Sequence, residues 1–260
     1  MDAIQEYIEP IKGKTEWGYT PAYFLSARFN LHRNYAEYYL KKGDLTNRDI
    51  NHILAGFDRE KATAFDEVYA NDKYYEYKNN MIDDSYDFSL LKERFANKKI
   101  LVLAPGCSIK EKIQEISKFI AKEKPIVISI NFIPEDYEVE YAFFSNARRF
   151  NQASDFKCKL IVTSNIETDK EKIRLNYNAL SSSFDQGYNS YVMILKLLKN
   201  LGIDEVFAAG ADGYMDNGKN YYKSSLKSVS VCDGNYNLAV SRAIQRIGIN
   251  VNYLTDSAYV

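Results

Sequence analysis

Lys99-Ile-Leu-Val-Leu-Ala-Pro-Gly-Cys-Ser108 is an apolar run short enough for a buried strand, and a Pro-Gly turn closes it. The same device recurs downstream. Strands are predicted at Pro125–Ile130, Tyr141–Ser145, Lys159–Thr163, Glu205–Ala209 and Asn250–Leu254. Helices are predicted at about 109–122, at 187–200, where the run is strongly apolar and ends on Asn200-Leu-Gly202, and at 235–247. Strands separated by helices imply right-handed crossovers and a mostly parallel sheet covered on both faces. The expected class is therefore α/β, a doubly wound sheet over residues 98–260.

Upstream the texture changes. Residues 1–80 show helical spacing and carry both histidines, His32 and His52. After a turn-like Trp17-Gly-Tyr-Thr-Pro21, apolar positions at Tyr23, Phe24, Ala27, Leu31, Tyr35, Tyr38 and Leu40 suggest a helix that stops at Lys41-Lys42-Gly43. Thr46 offers an N-cap for a helix through Ile50, Ile53, Leu54 and Phe57, and another is expected from near Asp58 through Val68. Residues 71–90 lack clean periodicity, so 81–97 is read as a linker with a short helix near 88–95, and 1–80 as a small all-α region.

Bulk properties narrow the classes. The chain has 260 residues and 46% hydrophobic content, enough for one large domain or two small ones with a real core. A net charge of −1 gives no drive toward nucleic acid or anionic membrane, so no nucleic-acid partner is expected. Three widely spaced cysteines (Cys107, Cys158, Cys232) have no metal-ligand spacing and argue against a disulfide framework, which favours a reducing cytoplasm. No stretch approaches the roughly 20 apolar residues of a membrane span, and none resembles a signal peptide. The 22 tyrosines read as codon usage and amphipathic surface packing.

Ligands of open α/β sheets bind outside the carboxyl ends of the strands, so polar residues just after each strand are the candidates. Ala104–Ser108 follows the first strand: Gly106 admits close backbone approach and Ser108 could cap a helix whose N–H groups favour phosphate, although a tight turn without ligand gives the same residues. Asn131 follows the second strand and suits a base or sugar hydroxyl; Ser145 and Asn146 follow the third; any of them could instead bond its own turn. Asp185-Gln-Gly187 precedes an apolar helix whose N-terminus could receive an anion. In Gly210-Ala-Asp-Gly-Tyr214, Asp212 could bind ribose, a metal or a proton, or hold a turn. Arg148-Arg149 could engage phosphate or decorate a solvated face. No histidine lies beyond His52, so the α/β half has no imidazole base, and no cluster has zinc spacing; His32 and His52 read as packing or surface residues.

Two resemblances add to this reading. Tyr7-Ile-Glu-Pro10, Trp17-Gly18, Pro21-Ala-Tyr-Phe24 and Asp44-Leu-Thr-Asn-Arg-Asp-Ile-Asn51 resemble the helical region that follows the barrel in HMG-CoA lyase-like aldolases of the 4-hydroxy-2-oxovalerate type, over residues 1–75. In that family the barrel carries the metal ligands and the aldol chemistry, and about 75 residues cannot supply eight strand–helix units. The resemblance implies a C-terminal, non-barrel piece of such an aldolase, a lyase whose active site is not on this chain. Its partner would be the barrel, upstream in the same polypeptide or separate.

Residues 98–260 resemble the Rossmann-like domain of bacterial CMP-sialic-acid-dependent sialyltransferases. Ala104-Pro-Gly-Cys-Ser-Ile109 is similar to that family's Asn-Gly-Pro-Ser-Leu loop, Phe144-Ser-Asn146 to its next strand end, and Asn131 falls at its nucleotide-contacting asparagine. Gly210-Ala-Asp-Gly-Tyr214 with Tyr221 is similar to the segment that holds phosphate there. The family's histidine base would lie between about Tyr222 and Asn235, where this sequence has none. What the resemblance implies is a nucleotide or nucleotide-sugar ligand at Gly106, Ser108, Asn131, Ser145, Asn146, Gly187, Asp212, Tyr214 and Tyr221. The competing expectations are a glycosyltransferase-like enzyme of surface polysaccharide biosynthesis, with Asp212, Tyr214 or Tyr221 replacing the histidine, and a purely structural module that assembles with the barrel.

Overall fold

The computed structural model describes residues 31–45, 49–50, 53–54, 56–58, 60–79, 81–154, 156–181, 189–214, 221–226 and 234–260. The chain divides after Met81 into a helical unit and an α/β unit.

In the helical unit, α1 (Asn34–Lys42) ends as its sequence predicts, with Lys41 and Lys42 in the last turn and Gly43 left-handed at φ 74°. The helix expected from Asp58 starts later, at α2 (Glu67–Asn79). Before it come a 3-10 turn at Lys61–Thr63 and an extended Ala64. Tyr35 explains the delay: its hydroxyl donates to the Ala64 carbonyl at 2.9 Å and accepts from the Asp66 amide at 3.0 Å. Asp66 Oδ1 then accepts from the Val68 and Tyr69 amides, which caps α2. Tyr35 and Tyr39 are fully buried beside Phe57 and Ala70, so these tyrosines are core and not surface packing. Thr46, His52 and the stretch up to residue 30 lie outside the described residues.

The α/β unit opens with α3 (Ser85–Phe95), whose Leu91 and Phe95 are buried in the main core; the stretch read as a linker thus supplies a core helix. Then follow β1 (Ile100–Leu103), α4 (Ser108–Glu111), α5 (Ile113–Glu123), β2 (Ile126–Ile130), β3 (Tyr141–Phe144), α6 (Ala147–Gln152) and β4 (Lys159–Thr163). The remainder is β5 (Ile173–Leu175), α7 (Tyr177–Leu180), α8 (Ser190–Asn200), β6 (Glu205–Ala209), α9 (Gly234–Ile247) and β7 (Asn250–Tyr253). Three elements, α6, β5 and α7, fall where no regular structure was expected.

All strand pairs are parallel, in the order β5-β4-β3-β2-β1-β6-β7. Strand β1 is an interior strand between β2 and β6 and is wholly buried, and its alternate residues feed different layers. Ile100 and Val102 join α3, α8 and α9 on one face, while Leu101 and Leu103 join Ile109 and Ile116 of α4 and α5 on the other. Helix α8 buries seven of its eleven residues, as the continuous apolar run predicts. At the β5 margin, Asp87 and Asp84 at the start of α3 accept from the Arg174 and Asn176 amides at 2.8 and 2.7 Å.

From β1 the chain lays β2 to β5 outward on one side, then returns to place β6 and β7 on the other. The reversal opens a crevice at the carboxyl ends of β1 and β6, where the two connections part.

Candidate functional site

A cleft of about 220 Å³ lies at that reversal. Of the residues singled out from sequence, Gly106, Asn131, Asn146, Asp212, Tyr214 and Tyr221 line it. Ser108 and Ser145 lie beneath, bonded to lining residues, and Gly187 falls outside the described residues.

The turns after β1 and β6 are locked together. The Gly106 amide donates to the Gly210 carbonyl at 2.9 Å, and a Cβ on Gly106 would stand 2.3 Å from Asp212 Cγ. Gly210 is left-handed at φ 74°, and a Cβ there would strike the Ala104 carbonyl oxygen at 2.2 Å. Both glycines are therefore required by the crossing of two backbones. Asp212 fills the end of α4: its Oδ2 accepts from the Ser108 amide at 3.0 Å, and its Oδ1 from the Ser108 hydroxyl. Cys107 Sγ stands 3.6 Å from the same carboxylate. Burial holds the Asp212 carboxyl above its ordinary value, against the bonds from Ser108. The phosphate expected at this helix end thus meets a carboxylate from β6's own turn.

The ends of β2 and β3 are tied to α8 through Asn131, which is left-handed at φ 57°. Its Oδ1 accepts from the Ser145 and Asn146 amides at 3.0 and 3.3 Å, and its Nδ2 donates to Ser190 Oγ. The Ser145 and Ser190 hydroxyls are 2.7 Å apart. Asn189 caps α8, accepting from the Tyr191 amide at 2.9 Å. Neither Asn189 nor Ser190 was singled out; an asparagine just before an apolar run was the available signal.

Arg148 and Arg149, at the start of α6, face the cleft. Arg149 Nη1 donates to the Ser225 carbonyl at 2.8 Å and Nη2 to Leu226, which fixes segment 221–226. That segment is also held by the Tyr222 amide on the Pro105 carbonyl and by a bridge between Gly106 and Tyr221. Burial lowers the Arg149 guanidinium from its ordinary value, helped by Arg148.

Aromatic rings complete the wall. Asn237 clamps Tyr214 by accepting from its amide and donating to its carbonyl, both at 2.8 Å. The Tyr214 ring stands edge-on to Tyr236 with centroids 4.6 Å apart, and burial pushes its phenol far up, so it stays neutral. Tyr259 stacks on Tyr191 near the chain end, a contribution with no sequence signal.

No group of three or more His, Cys, Asp or Glu among the described residues could hold a metal ion. No described helix is long and apolar enough to cross a membrane. No family model matches the chain, and neither a curated protein nor a solved structure does.

Proposed function

We propose that the α/β unit binds a nucleotide or nucleotide sugar in this cleft. The observation that carries the reading is position: amide, hydroxyl, guanidinium and phenol groups from five connections and the segment after the last strand converge at the strand-order reversal, where doubly wound sheets take their ligands. Asparagines and serines suit a base or sugar, and tyrosine rings offer faces for stacking. Support for binding exceeds support for transfer, because both Asp212 oxygens already serve Ser108. The helical unit, on the resemblance of residues 1–75, would dock an aldolase-type barrel, and the chain itself would cleave no carbon–carbon bond.

Calorimetric titration of the full chain with CMP, UDP, AMP, GMP and their sugar conjugates tests the reading. Saturable binding of at least one at sub-millimolar concentration is expected. Silence from all of them at millimolar concentration overturns it.

A further inference from the structure

Among the described residues lining the cleft, three are charged: Asp212 on the β1–β6 side, and Arg148 and Arg149 at the start of α6. Their surroundings differ in kind. Asp212 is buried, 7% exposed, with Oδ2 accepting from the Ser108 amide and the Cys107 thiol and Oδ1 from the Ser108 hydroxyl. The donors that would otherwise greet a phosphate at this turn are therefore taken by a resident anion. A phosphate placed here would also lose to like-charge repulsion in a poorly solvated corner.

The arginines are the complement. Among the described residues neither forms a salt bridge with a carboxylate. Arg149 is anchored by two neutral carbonyls, which orient its guanidinium without cancelling its charge. A guanidinium has five N–H donors, so the fork keeps donors beyond those two bonds. Arg148 is exposed and beside it. Asn146 Oδ1 accepts from the Arg149 amide, and Asn146 lines the cleft with its Nδ2 as a further donor group. A pre-oriented guanidinium at Arg149, with a second guanidinium at Arg148 and the Asn146 amide along the same cleft, is the kind of donor set that phosphate oxygens require.

Resting on the nucleotide reading, we infer that the ligand's phosphate lies against Arg148 and Arg149, and that the Gly106–Asp212 side receives an uncharged hydroxyl-bearing part. The ligand class this defines is a phosphate ester with a polyol end, held with the phosphate away from the first strand's turn. The Asp212 carboxylate retains capacity for one further donor, which a sugar hydroxyl can provide.

The test is titration of the full chain, at fixed ionic strength, with inorganic pyrophosphate, with CMP, UDP, AMP, GMP and their sugar conjugates, and with the corresponding nucleosides. The proteins are wild type, Arg148→Glu and Asp212→Asn. Arg148→Glu alters an exposed side chain, and circular dichroism checks that it folds. It is expected to weaken nucleotides and pyrophosphate by about tenfold or more, for loss of a charge-assisted contact, while leaving nucleosides unchanged. Asp212→Asn is expected to shift nucleotide and nucleoside affinities by the same factor. If Arg148→Glu leaves nucleotide affinity intact while Asp212→Asn tightens it selectively, the phosphate sits at the first turn and the inference is wrong. Pyrophosphate binding that depends on Arg148, with no nucleotide bound, keeps the anion site and removes the nucleotide reading. No binding of either overturns both.

Discussion

Asp212 shows how much one side chain can do at a strand crossing. It closes the N-terminal end of α4, fixes Ser108 and sets the electrostatics around Cys107. The Cys107 thiol is pushed up to about 11, first by burial and then by this carboxylate. Protonated and half-buried, it is a packing group and not a nucleophile. Alkylation of the Cys107 peptide by iodoacetamide, followed by mass spectrometry, should therefore inflect near pH 11. At pH 8 it should run on the order of a hundredfold slower than a free cysteine, because the thiolate is that much scarcer. Asp212→Asn should move the inflection down. Modification at the rate of a free thiol would contradict the burial of this turn.

At the scale of elements, the cleft depends on where helices begin. Asn189 starts α8 by accepting from the Tyr191 and Val192 amides, and α8 in turn brings Ser190 to Asn131 and Ser145. Asn189→Ala should cost about 1 kcal/mol of unfolding free energy, the usual loss of an N-cap, read from urea denaturation. A loss within error would mean that the cap is redundant. The long elements were legible because burial on both sheet faces leaves unbroken apolar runs, as in Ile126–Ile130 and Ser190–Asn200. What escaped was short or chemically mixed. Strand β5 is three residues, Ile173-Arg-Leu175, behind the charged Lys170-Glu-Lys172. Helix α2 packs Ala70 and Tyr77 inward with Tyr74 alongside, and tyrosine hydroxyls blur the contrast that periodicity needs. In the site, residues directly after strands were legible from position alone. Asn189 carried the signal of an asparagine before an apolar run, whereas Tyr191 and Tyr259 reach the cleft from within that run and from the chain end, which no local pattern announces.

At the scale of the molecule, the division after Met81 separates two cores of different character. One sets interlocked aromatic rings among small and aliphatic residues, with Tyr35 and Phe57 edge-on at 4.8 Å; the other is mostly aliphatic and built on the sheet. Residues 82–260 expressed alone should fold with a cooperative thermal transition and native-like near-ultraviolet dichroism, because their core is complete in Leu91, Phe95 and the strands. A fragment without a transition would show that the sheet needs the helical unit. The contrast in texture between residues 1–80 and 98–260 was visible in the sequence; the allegiance of α3 to the sheet was not, since only two of its residues, Leu91 and Phe95, are buried. That helix has one more effect. An open sheet offers each margin as a template on which another chain can polymerise. At β5 the outward amides of Arg174 and Asn176 are already satisfied by Asp87 and Asp84, so the molecule carries its own terminator along that border, and two carboxylates deny an incoming extended segment its first rungs.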